Sequence, residues 1–337
     1  MKKLLLQWMG FCLLMAGLQY LTARLFPLEQ PKDLRNLKLA IRAKPDVYFM
    51  GDSVMDSFDP ADEDTRTIPG MLKSLLQEYR VVGVHRGGFH LRLYRDIARY
   101  IVNAGGRPRA MLIEINPAGL TYLKDTGSFE WTSGLFRQDQ NPLLSIFFRP
   151  LAIFKWSVVM PPLSQARYLN QIVYLGDRPV GNVRDYDPQN KAFDVFSEEN
   201  LRKKIILRYL GPLTPHNQYL RAIQQIAQML QSRGIKPLFY ITPVNHQLCE
   251  RSMPGEFAPR LTQKTSFIRS LLAARKLEVL DLSFALPEEY FQVVMYPNEH
   301  LNERGRLFVA GQLADWVRKE LGQANSPATG RLAPSRP

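Results

Sequence analysis

Cysteine is the first scarcity. The 337 residues hold two, Cys12 and Cys249, with no CxxC pair and no zinc-ligand spacing, which excludes a disulfide-stapled fold. The phosphate-cradling GxxxxGK[ST] loop, the GxGxxG dinucleotide fingerprint and the HExxH zinc motif are missing as well. No cofactor and no metal are therefore expected. No internal repeat is present. Acids are also in short supply, 31 against 44 lysines and arginines, for a formal net charge of +13. Such an excess favours a polyanionic neighbour (nucleic acid, an anionic membrane surface or an anionic envelope polymer), or it is a solvated basic surface. Histidine is sparse enough to weigh singly: His85, His90, His216, His246 and His300.

Long apolar runs are rare too, with one exception. In "MKKLLLQWMGFCLLMAGLQYLTARLF" two lysines precede a mostly apolar stretch from Leu4 to about Leu21, near the roughly 20 residues that cross a bilayer. It shows no A-x-A-like cleavage site, and Cys12 lacks the small-residue context of a lipoprotein site. The expectation is an uncleaved transmembrane signal anchor over 1–24, then a charged juxtamembrane connector over 25–45. Lys2 and Lys3 favour a cytoplasmic N-terminus, while Arg24, Lys32, Arg35, Lys38, Arg42 and Lys44 count the other way. Long domains translocate regardless of such charges. The rest is thus expected on the periplasmic or extracellular side of the inner (cytoplasmic) membrane, where nucleic acid is not an expected partner.

Beyond the connector, short runs rich in β-branched and aromatic residues recur: "DVYFM" (46–50), "RVVGVH" (80–85), "AMLIEI" (110–115), "KPLFYIT" (236–242) and "LEVLDLS" (277–283). Runs of this kind read as strands buried on both faces of a parallel sheet. Helical patterns at 69–79, 93–106, 217–234, 265–276 and 304–321 alternate with them. The fold class this predicts is α/β, a three-layer α/β/α domain over 46–322 around a roughly five-stranded parallel sheet. Residues 121–212 break the rhythm as a long aromatic and basic insertion, which either borders the active site or docks on a membrane or membrane partner, or else is a cap burying its apolar face on the main domain. The small, polar, proline-rich tail over 323–337 is expected to be disordered.

Ligands of open parallel sheets bind beyond the carboxyl ends of the strands, so the residues just after each run matter most. The first run ends in Gly51-Asp52-Ser53, which alone is ordinary turn chemistry. The second is followed by Gly87 and Gly88, the third by Asn116 and the fourth by "TPVNH"; "YPNEHLNERGR" with His300 comes shortly after the fifth. A nucleophilic serine needs a base and oxyanion donors. His300 can be that base for Ser53, and the N–H groups of Ser53 and Gly87 with the Asn116 amide can be the donors. His85 and His90 flank the glycines and could enter the pocket, though a structural role suits them better, and His246 is a weak candidate to face the site from the end of the fourth run.

This order of Gly-Asp-Ser, glycine, asparagine and late histidine resembles the SGNH (GDSL-type) hydrolase superfamily, a flavodoxin-like three-layer fold, over residues 46–120 and 213–320. The resemblance implies Ser53, Gly87, Asn116 and His300 as the four name-giving residues. The N-terminal stretch, the insertion and "PVN" after the fourth run are similar to the membrane-anchored branch of DltD and the alginate O-acetylation proteins. That implies O-acylation (acetyl or D-alanyl type) of an anionic envelope polymer, or transfer from an acyl carrier, beside a membrane-bound O-acyltransferase partner. Where the family carries an acid before the histidine, this chain has Pro297 and Asn298. Asn298 can orient the imidazole without supplying charge. Glu299 adjoins His300 and is expected to point elsewhere. A dyad, or an acid from the cluster Asp56, Asp59, Asp62, Glu63 and Asp64, are the remaining options. The alternative to an enzyme is a non-catalytic scaffold with a degenerate site.

Overall fold

Apolar residues fill both faces of the predicted strands, and in the computed structural model both faces are covered. The structure describes residues 2–25, 32–58, 62–120, 136, 139–140, 202, 205–211, 213–214, 216–292 and 299–322. Strands β1 (Val47–Gly51), β2 (Val81–His85), β3 (Ala110–Ile115), β4 (Lys236–Ile241) and β5 (Val279–Asp281) form one parallel sheet in the order β2-β1-β3-β4-β5. The helices in chain order are α1 (Lys2–Leu25), α2 (Lys32–Arg42), α3 (Ser53–Asp56), α4 (Ile68–Leu75), α5 (Leu91–Asn103), α6 (Gln218–Gln231), α7 (His246–Ser252), α8 (Phe257–Ala273) and α9 (Glu303–Leu321).

The period-2 alternation of strand side chains divides the core in two. Tyr48, Met50, Met111, Ile113, Phe239 and Ile241 pack with α2, α5, α6 and α8. Val47, Phe49, Leu112, Leu238 and Tyr240 pack on the opposite face with α4 and α9. The three-layer architecture and its five parallel strands are thus as the sequence reads.

Three expectations fare differently. Residues 32–42, expected within a connector, form α2, because Leu34, Leu37 and Ile41 lie on one helical face and pack into the first core. The N-terminal stretch forms α1 and leaves Leu4, Leu5, Leu6, Trp8, Met9, Phe11, Leu13 and Leu14 exposed. Among the described residues, however, no helix is long and apolar enough to cross a membrane; Gln7, Gly10 and Gly17 dilute the apolar run. Most of the insertion at 121–212 and the whole tail at 323–337 lie outside the described residues. The insertion's described Phe136 packs against Tyr100, and its Asp139 pairs with Lys38 at 2.7 Å.

One buried cation ties the two ends of the sheet domain together. Arg306, in the first turn of α9, is fully buried. Its Nη1 donates to Asp62 Oδ2 at 2.7 Å and to the Leu301 carbonyl at 3.2 Å, its Nε to the Arg66 carbonyl at 2.9 Å, and its Nη2 to the Asp64 carbonyl. Removing one partner of such a buried pair strands the other groups without solvent. Arg306→Met should therefore lower the unfolding free energy by about 3–5 kcal/mol, read as a lower urea midpoint at unchanged m-value. An unchanged midpoint would contradict this role.

Candidate active site

β1 feeds β2 on one side, and the chain then crosses back to β3 on the other. The crevice between the carboxyl ends of β1 and β3 is therefore the topological switch point, where open parallel sheets bind ligands. Gly51, Asp52 and Ser53 leave β1 there, and Asn116 leaves β3.

The turn after β1 has no room for a side chain at Gly51. A Cβ would fall 1.6 Å from Met55 Sδ and 2.5 Å from Glu114 Oε2. Asp52 next caps the short helix α3, its Oδ1 accepting from the Val54 N–H at 2.8 Å. Its Oδ2 accepts from Asn116 Nδ2 at 3.0 Å, while Asn116 Oδ1 accepts from the Ala118 N–H at 2.9 Å. The aspartate thus orients both the nucleophile's turn and the asparagine amide. One N–H of that amide serves Asp52, and a second remains for other work.

Ser53 Oγ lies 3.2 Å from His300 Nε2, within reach for a nucleophile and its base. The two residues stand 247 positions apart in sequence. His300 is held by its backbone: Gln292 N–H donates to the His300 carbonyl at 3.0 Å, and Phe291 bridges Leu301 in antiparallel fashion. The next residues enter α9, with Asn302 accepting from the Gly305 N–H at 3.1 Å. Gly305 is required there, since a Cβ would come within 2.4 Å of the Tyr290 carbonyl oxygen.

The two glycines after β2 separate by role. Gly88 takes a positive φ of 88° and makes the turn. Gly87 faces the nucleophile, where a Cβ would touch that of Ser53 at 3.5 Å. The N–H groups of Ser53 and Gly87 have no hydrogen-bond acceptor among the described residues. Ser53, Gly87, Asn116 and His300 are thereby gathered at one sheet edge.

The search for an acid behind His300 ends differently. Asp62 pairs with Arg306, and Asp64 with Arg66 at 2.5 Å. Glu299 is buried and turned away, accepting from the Tyr209 hydroxyl and from Arg208 Nη2 at 3.2 Å. Asp59, Pro297 and Asn298 lie outside the described residues. Three of the other histidines sit in the fold. His85 is fully buried, His90 caps α5 through Nδ1, and His246 opens α7 against Phe284.

The sequence reading missed Glu114. It sits 1% exposed beneath the turn, 3.4 Å from the Asp52 N–H through Oε1, and accepts from the Tyr240 hydroxyl at 3.2 Å. Burial first, then the adjacent Asp52 charge, pushes its carboxyl well above the usual range. The signal was available: a lone acid inside "AMLIEI" is either a costly accident or a placed group.

No protein-family profile matches the chain, and no curated protein matches it. Among solved structures, a GDSL-like lipase from Bacteroides thetaiotaomicron is 10% identical with a TM-score of 0.38, covering 87% of this chain and 98% of that one. A mutant of an acetyl-xylooligosaccharide esterase from Geobacillus is 12% identical with a TM-score of 0.38, covering 85% and 96%. A catalytic mutant of an acetylxylan esterase from Geobacillus stearothermophilus is 12% identical at a TM-score of 0.36, covering 82% and 94%.

Glu114 makes a pH prediction. Its folded pKa lies above its unfolded one, so its contribution is full below the unfolded value and is lost as pH rises toward the folded value. Glu114→Gln should then gain stability relative to the parent steadily above pH ~4.5, in urea unfolding at a series of pH values. Parallel curves for the two proteins would refute a raised Glu114 pKa.

Proposed function

We propose that this chain is an SGNH-like serine acyl-transfer enzyme, with Ser53 as nucleophile and His300 as general base. The observation that carries it is the 3.2 Å approach of His300 Nε2 to Ser53 Oγ at the switch-point edge. A neutral imidazole with its proton on Nδ1 accepts the serine proton while Oγ bonds to the acyl carbon. Negative charge develops on the acyl oxygen, within range of the Ser53 and Gly87 N–H groups and the Asn116 amide. The imidazolium then gives its proton to the departing alcohol. In the second half a hydroxyl of water or of an acceptor loses its proton to His300 and takes the acyl group, restoring Ser53.

The acceptor belongs to the same proposal. The net charge of +13 favours an anionic envelope polymer as acceptor. The exposed apolar side chains of α1 favour attachment to the envelope-facing side of the inner membrane, next to a membrane-bound O-acyltransferase. O-acetyl or O-D-alanyl transfer onto that polymer is the reaction these features fit.

Ser53→Ala and His300→Ala should each fold normally and lose about ten-thousand-fold or more in kcat/KM on an activated acetyl ester. A fluorophosphonate should label Ser53 in the parent. A folded parent that hydrolyses no acyl ester and takes no label at Ser53 would overturn the enzyme in favour of a scaffold. Gly87→Ala tests the oxyanion side: its Cβ meets ordinary contact distance, so stability should stay within about 0.5 kcal/mol while ester turnover falls. Full turnover in that variant would remove Gly87 from the site.

A further inference from the structure

Away from the sheet edge, a pocket of about 340 Å³ lies between α8 and the π-helical turn Ile206–Leu210. It falls at the small end of ligand-site volumes, roughly 300–1,000 Å³. Leu210, Leu213 and Phe267 supply its apolar wall; Arg260, Gln263 and Lys264 supply its polar one. The polar residues follow one another around a single face of α8, at spacings of three and four. Among the described residues, no aspartate or glutamate lines it.

Lys264 is the anomaly. The residue is 5% exposed, and its amine has no hydrogen-bond partner among the described residues. A buried amine without partner or counter-ion is expensive, and proteins keep buried charges paired. Burial pushes its pKa down to about 7, as expected of an amine held without a compensating anion. Tyr209, also in the wall, cannot supply one, because its hydroxyl is committed to Glu299. Arg260, half-exposed at the rim, is paired among the described residues with Glu256 at 3.8 Å. Among the described residues, two cationic side chains beside an apolar wall, with no acid in the lining, make a pocket fit for an anion.

We infer that this pocket binds a small organic anion, a carboxylate or phosphate on a short apolar body, with Lys264 as its buried counter-ion and Arg260 at the mouth. The inference stands apart from the acyl chemistry, since none of these residues takes part in it, and Ser53→Ala should bind the same anion.

Hexanoate, hexyl phosphate and hexylamine are the probes, titrated calorimetrically into the full chain and into Lys264→Met, which removes an amine the fold holds at a loss. At least one anion should bind the parent, hexylamine should not, and Lys264→Met should weaken anion binding by roughly tenfold or more, the worth of one charge-assisted hydrogen bond. Hexanoate against hexyl phosphate tells which head group fits. No binding of either anion, or equal binding by Lys264→Met, overturns the site. The parent alone gives a second measurement that does not depend on the variant. Pyridoxal 5′-phosphate condenses with an unprotonated lysine, losing water, and borohydride fixes the imine. The labelled peptide should contain Lys264, and the stronger-binding anion should protect it. No label at Lys264, or label indifferent to saturating anion, overturns the inference equally.

Discussion

A hydroxyl and an imidazole 247 residues apart meet at 3.2 Å because neither end of that loop is free to move. On the nucleophile's side, Gly51 lets β1 run against Met55 and Glu114, and Asp52 fastens the turn. On the base's side, the Phe291–Leu301 bridge and the close approach of Gly305 to Tyr290 fix where His300 leaves the chain. Arg306 joins the two sides. Its guanidinium holds Asp62 and the carbonyls of Asp64 and Arg66, in the segment between the nucleophile's helix and α4, to the first turn of the helix that follows the histidine. Catalytic groups gain rate only when held near their reacting geometry. Here one fully buried cation carries much of that constraint.

Buried acids elsewhere in the interior follow a related rule, that a buried charge must be answered. Glu299 is answered by Tyr209 and Arg208, which turns it from His300 although it is the next residue. Glu114 is answered by the Tyr240 hydroxyl, and burial raises its carboxyl pKa. Among the buried charged side chains of the described residues, Lys264 is the one without an answer, although the neutral Tyr79 and Thr242 hydroxyls and the Gln292 amide oxygen are also unpaired, and that contrast in charge gives its pocket meaning.

What could be read from the sequence divides along physical lines. Strand and helix positions were legible because burial on two faces and helical stripes leave periodic marks, and β1 to β5 fall within the apolar runs at 46–50, 80–85, 110–115, 236–242 and 277–283, give or take a residue. Ser53, Gly87, Asn116 and His300 were legible because the ends of parallel strands converge on one edge. α2 was obscured by its charges: Lys38 and Arg42 read as connector, although Leu34, Leu37 and Ile41 form the buried stripe. Glu114, Arg306 and the turning of Glu299 depend on pairings across 62 to 244 positions, and nothing local in a sequence encodes a partner that distant.

An aspartate beside a serine nucleophile looks misplaced where an oxyanion must form, since like charges repel. The geometry removes the objection. Both carboxylate oxygens of Asp52 are occupied, one by the Val54 N–H and one by the Asn116 amide, so its charge is spent on orienting the serine turn and a candidate oxyanion donor. Burial first, and then the field of Asp52, raises the Glu114 pKa well above the usual carboxyl range. Two ionised carboxylates under the turn would oppose the developing negative charge twice over in a low-dielectric setting. A raised Glu114 pKa lessens that second charge, which in the proposed reaction leaves the donors of Ser53, Gly87 and Asn116 to face the acyl oxygen. The third residue of "MGDS" is thus a positioning group, and the lone glutamate of "AMLIEI" is the buried acid beneath it whose pKa it helps to raise.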